Sequence, residues 1–188
     1  MLVHPRQPKF ENLIVSRTKL AACPDRGAKL RSAVEAEMLF AQTSGAMVVE
    51  VGGWVLSEQM RGTAEAVRLA LGVWAWGRLL GGAIGIATAT TRNHSAHILG
   101  RIGGRPLEYR GEVIPKYFEP KYGCDIQIMR FKSDSYSDRF APIVDSMTAE
   151  LIQSTVLSAG KPAGRFTPAL GAGLHIPPAE LAFAGLAN

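Results

Sequence analysis

Cysteine is scarce in this 188-residue chain. Cys23 and Cys124 are the only two, and they stand far apart. That spacing excludes a disulfide framework and a cysteine metal cluster, and the expected setting is reducing and cytoplasmic. The opening MLVHPRQPKF lacks the apolar core of a secretory signal. Long hydrophobic runs are missing too. The most apolar window, Val67 to Thr90, is broken by Arg68 and Arg78, whereas a membrane-spanning helix needs about 20 mostly apolar residues. His94 and His97 sit one helical turn apart without the third and fourth ligands that a metal needs. The Gly81-Gly82-x-x-Gly85 pattern follows a helical stretch rather than a strand, so it is no dinucleotide fingerprint. No recognition helix or aromatic repeat accompanies the basic residues, which excludes the common nucleic-acid readers.

What is present supports a packed core. Hydrophobic residues make up 47% of the chain and charged residues 20%, the balance of one globular domain. Met47 to Leu56 is apolar and β-branched apart from Glu50 and the pair Gly52-Gly53. Such a run predicts a strand covered on both faces, with the glycines marking a close approach of backbone or ligand. Ser57 to Gly62 follows as a loop, and a helix is expected from Thr63 to Leu80, apolar nearly all round and therefore buried. Gly62 and Thr63 at a helix N-terminus, with Arg61 beside them, form a candidate anion site. The alternative is an ordinary strand-turn-helix with a surface arginine. Ala83 to Thr90 predicts a second buried strand, and the three segments together a βαβ unit.

The remaining segments are less regular. Met1 to Lys9 reads as an irregular arm, Leu13 to Thr18 as a strand, and Ala28 to Ala41 as a helix. Asn93 to Ile102 predicts a short helix closed by Gly103-Gly104. Pro106 to Pro120 predicts a hairpin region with its turn at Arg110-Gly111, and Gly123 to Phe131 a returning strand. Asp138 to Leu157 predicts an amphipathic helix with Phe140, Ile143, Val144, Met147, Leu151 and Ile152 on one stripe. The domain is expected to span residues 10–158. After it the chain turns rich in Ala, Gly and Pro, and disorder is expected over residues 159–188.

Net charge is +5, and +4 of it falls between Arg92 and Lys132, where eight cations oppose Glu108, Glu112, Glu119 and Asp125. Such a stretch attracts nucleic acid, a membrane surface, an acidic carrier protein or phosphorylated cofactors, or is simply a solvated basic face.

Two segments carry a family resemblance. EVGGWVLSEQMRG, Glu50 to Gly62, resembles the central strand and pyrophosphate loop of the GNAT acyltransferase superfamily. Within that superfamily it is most similar to the acyl-homoserine-lactone synthases and the long-chain N-acyl amino acid synthases. NHSAHILGRIGG, Asn93 to Gly104, resembles the GNAT segment in which Asn opens a helix and Gly closes it. The likeness covers roughly Leu13 to Phe131. It departs at Gly53, where those synthases have Arg, at Gly100, where many GNAT enzymes have an acidic Tyr, and in the short stretch before Leu13.

The resemblance implies an α/β (α+β) three-layer fold with a mixed twisted sheet and a central splayed parallel strand pair. It implies an N-acyltransferase moving a long-chain acyl group from acyl carrier protein or acyl-CoA to the amine of an amino acid or similar molecule, with no metal. The alternative is a GNAT-like module that has lost catalysis and binds a carrier protein or another partner. Glu50 is the candidate general base, since a carboxylate on an apolar strand is pushed toward a useful pKa by desolvation. Its structural alternative is an ion pair, with Arg17 as the nearest candidate. Backbone N–H groups at Gly52 and Gly53 would hold the thioester carbonyl. Arg61, Gly62 and Thr63 would cradle the phosphate of the phosphopantetheine arm, and Asn93 would hydrogen-bond it. Trp54, Tyr117 and Tyr122 would line the substrate pocket, with lid packing as the alternative for the tyrosines.

Overall fold

The computed structural model describes residues 1–4, 7–52, 57–92, 94–158 and 161–165. In chain order the strands are β1 (Leu2–Val3), β2 (Met47–Glu50), β3 (Ala83–Thr90), β4 (Arg105–Pro106), β5 (Glu108–Tyr109), β6 (Glu112–Val113), β7 (Tyr117–Glu119), β8 (Cys124–Lys132), β9 (Thr155–Ser158) and β10 (Lys161–Arg165). The helices are α1 (Gly27–Ser44), α2 (Ala64–Leu79), α3 (Ser95–Ile102) and α4 (Ala141–Gln153). The class is α+β with a mixed sheet, in the order β1-β2-β3-β8-β4, and β7 also pairs with β8. β2 and β3 run parallel, in register from Met47↔Ala83 to Glu50↔Ile86, with α2 as their crossover. The pairings β1–β2, β3–β8, β4–β8 and β7–β8 are antiparallel.

The two-residue alternation of β3 and β8 builds a core on each face of this sheet. Ile84, Ile86, Ile126 and Ile128 join Leu30, Ala33, Val34 and Ala41 of α1. Ala87, Ala89, Met129 and Phe131 join Leu71 and Trp74 of α2, Leu99 and Ile102 of α3, and Val144 of α4. Helices thus cover both faces, the reason β3 is apolar along nearly its whole length. Trp74 meets Phe131 edge to face, with centroids 5.2 Å apart. Phe140, just before α4, and Ile143, Met147 and Leu151 on it pack against this second core beside Val144.

Four expectations change. The helix expected over Asp138 to Leu157 ends at Gln153, and Thr155–Ser158 is a strand. Leu13 to Thr18 is not a strand: it holds the 3-10 turn Ile14–Arg17, directly after another at Phe10–Asn12. Leu13 and Val15 are buried while Ile14 is 55% exposed, an alternation that also fits a strand. Side chains decide otherwise. The Ile14 and Val15 amides bond to the Glu50 carboxylate, Ser16 Oγ donates to Leu13 O, and Thr18 Oγ1 donates to Val15 O. The opening arm is also not wholly irregular, since Leu2 and Val3 pair with Glu50 and Val49. Finally, residues 161–165 form a strand antiparallel to β9; residues 166–188 lie outside the described residues.

The β5–β6 turn falls where expected. Arg110 and Gly111 both have positive φ, 51° and 80°, as a two-residue hairpin loop of the type favoured by strand twist requires.

Candidate functional site

The end of the β2–β3 ladder positions the candidate site. Val51 N–H donates to Ile86 O at 2.8 Å, and this is the last rung among the described residues. The next rung of a parallel ladder would run from Thr88 N–H to the Val51 carbonyl, and it is not made. β3 continues to Thr90, and Thr88 is its one exposed residue. Gly52 is exposed as well, with open space where a Cβ would stand. Among the described residues the β2–β3 ladder therefore ends at Val51 while β3 runs on, at the carboxyl end of the strands, where open α/β sheets admit ligands.

α2 begins at that same end. The preceding loop closes as a 3-10 turn, Glu58–Met60, followed by Arg61 and by Gly62 at φ 76°. Thr63 caps α2: its Oγ1 accepts from Ala66 N–H at 3.3 Å and donates to Met60 O at 2.9 Å. Among the described residues the Ala64 and Glu65 amides make no hydrogen bond. Arg61 is exposed and forms no ion pair among the described residues. Glu65 in the first turn is the competing negative charge.

Glu50 is buried, 6% exposed. Its Oε2 accepts from Ile14 N–H at 2.8 Å and from His4 Nε2 at 2.9 Å, and its Oε1 accepts from Val15 N–H at 3.0 Å. The partner is thus His4, itself buried, rather than Arg17. His4 N–H also donates to Val48 O, which ties β1 to β2. No sequence pattern pointed to His4. It lies 46 positions from Glu50, and only the register Leu2↔Glu50 brings them together.

The two tyrosines assigned to the pocket are in different surroundings. Tyr117 is buried in the core on the α1 side. Burial, reinforced by Glu119, pushes its phenol up to about 12, with the Thr18 side chain acting in the opposite direction. Tyr122 is 51% exposed in the β7–β8 turn, with Lys121 Nζ over its ring at 5.6 Å. Gly53, Trp54 and Asn93 lie outside the described residues. One feature has no sequence signal at all: the indole Nε1 of buried Trp74 has no hydrogen-bond partner among the described residues.

A cavity of about 370 Å³ lies elsewhere, between the start of α1 and the β5–β6 hairpin, lined by Ala28, Lys29, Ser32, Tyr109, Arg110 and Glu112. Lys29 and Glu112 form an ion pair across it. Among the described residues no group of three or more His, Cys, Asp or Glu could hold a metal, and no helix is long and apolar enough to cross a membrane. Comparison with protein-family models, curated proteins and solved structures finds no match for this chain.

Proposed function

We propose that the chain is a GNAT-type N-acyltransferase that moves a long-chain acyl group from acyl carrier protein or acyl-CoA to the amine of an amino acid or a similar small molecule. The observation that carries this reading is the end of the β2–β3 ladder at Val51–Ile86 among the described residues, with α2 opening at the same end of the strands. The strand order supports it: a parallel pair joined by a helix, followed by an antiparallel return strand and a further edge.

In this reaction the amine nitrogen attacks the thioester carbonyl carbon. The C–S bond breaks, the thiolate leaves, and the amine proton passes to a base. Backbone N–H groups beyond the last described rung, that of Thr88 among them, would stabilise the developing oxyanion. Arg61 and the uncapped Ala64 and Glu65 amides would bind the donor phosphate. Glu50 Oε1, which accepts one hydrogen bond where Oε2 accepts two, is the oxygen with spare accepting capacity for a proton.

A second reading is a GNAT-like binding module without catalysis. It is favoured by the same carboxylate, which is enclosed and joins three backbone segments. One experiment chooses between them. The purified chain is incubated with long-chain acyl-CoA, or acyl carrier protein, and a mixture of amino acids, and products are read by mass spectrometry. N-acyl amino acid formation is expected. Donor bound in native mass spectra without turnover selects the binding module, and neither result removes both readings.

A further inference from the structure

We infer that the β7–β8 hairpin is a docking surface for an anionic membrane. Its turn, residues 120–123, carries Lys121 and Tyr122 at the tip, with Lys116 and Phe118 leading into it. Phe118 is 59% exposed and Tyr122 51%. β7 alternates, so Tyr117 enters the core while Phe118 is turned outward. The Arg92 guanidinium lies beside the hairpin, 3.9 Å from where a Cβ on Gly123 would stand. Two projecting rings among three cations match an interface with apolar chains below and phosphates at ring height. The phenol of Tyr122 suits that boundary, being apolar along its body and polar at its tip.

Charge complementarity supports an anionic surface. At the hairpin, Arg92, Lys116 and Lys121 have no ion-pair partner among the described residues. Glu119 and Asp125 flank the hairpin and temper the attraction locally. An acidic protein would also meet the cations, but it offers no apolar phase for the exposed rings of Phe118 and Tyr122 to enter. The surface goes beyond the acyltransferase reading and does not depend on it, so vesicle binding is measured apart from turnover.

The test is co-sedimentation of the full chain with phosphatidylcholine vesicles, with and without phosphatidylserine. Binding is expected only with phosphatidylserine, and to weaken as salt rises. Lys116→Gln with Lys121→Gln is expected to weaken it roughly thirtyfold. Phe118→Ala with Tyr122→Ala is expected to weaken it about tenfold through the lost apolar contact. As a second readout, Phe118→Trp adds emission that brominated acyl chains quench. Absent binding, no effect of the aromatic substitutions, or added emission that the brominated chains leave unquenched each overturns the proposal. So does binding to acidic acyl carrier protein without binding to vesicles.

Discussion

At Glu50 one carboxylate joins β2, the turn at Ile14 and the strand β1 through His4. Glu50→Gln keeps the shape but replaces one acceptor oxygen by an NH2 group facing a backbone N–H or His4. A donor set against a donor in a buried site costs about 1–3 kcal/mol, so the melting temperature is expected to fall. If Oε1 also accepts the amine proton, the rate per folded molecule falls by about 10²–10⁴. Stability loss with an unchanged rate per folded molecule removes Glu50 from the chemistry and leaves its tie to the N-terminal segment. Arg61 is the complementary residue: exposed, unpaired among the described residues and outside the core. Arg61→Ala is expected to leave the melting temperature in place and to weaken donor binding about tenfold or more, as loss of a charge-assisted contact does. Calorimetry with acyl-CoA checks this, and an unchanged affinity takes Arg61 out of the site.

Single elements depend on similarly local features. Thr63→Ala removes the cap of α2 and is expected to cost about 1 kcal/mol, while Thr63→Ser keeps most of it. Thermal unfolding of the two variants reads the difference. At the end of α3, Gly103 has φ 128°, and a Cβ there would stand 2.4 Å from Ser135 O and 2.5 Å from Tyr136 Cα. Both contacts are with backbone, so nothing can swing aside. Gly103→Ala is therefore expected to destabilise by more than about 2 kcal/mol, and a melting temperature near that of the unsubstituted chain would show that the β8–α4 connection can shift.

These elements also show what could be read from sequence. α1, α2, α3 and β3 were legible because their periodicity and their bounding Thr and Gly residues act locally. The Arg110-Gly111 turn was legible for the same reason. The 3-10 turn at Ile14 was not, because what folds it is a carboxylate 36 positions away. Nor was β1, a two-residue strand that exists through its pairing with β2. Of the site, the loop and cap at Arg61 to Thr63 were legible. The separation of Tyr117 from Tyr122 was not, because alternation along β7 and the turn after it sends one ring inward and leaves the other outside.

At the scale of the whole molecule, the sheet separates two cores, and Tyr117 carries its phenol into the one beneath α1. That location makes global stability depend on alkaline pH. The phenol is held up to about 12, chiefly by burial, against an ordinary value of about 10. The folded state thus keeps its proton where the unfolded chain gives it up. The sign follows: the contribution is complete below about pH 10 and is lost as pH rises toward 12. The useful quantity is the difference between the unsubstituted chain and Tyr117→Phe, in which everything common to both chains cancels. Below pH 10 that difference in unfolding free energy should be constant, set by the lost hydroxyl contact with Thr18. Between pH 10 and 12 it should move by about 1–2 kcal/mol in favour of the phenylalanine variant, which has no proton to lose. Urea unfolding at a series of pH values measures it. A difference that stays flat through pH 12 would mean that water reaches the phenol and that the α1-side core is open at β7.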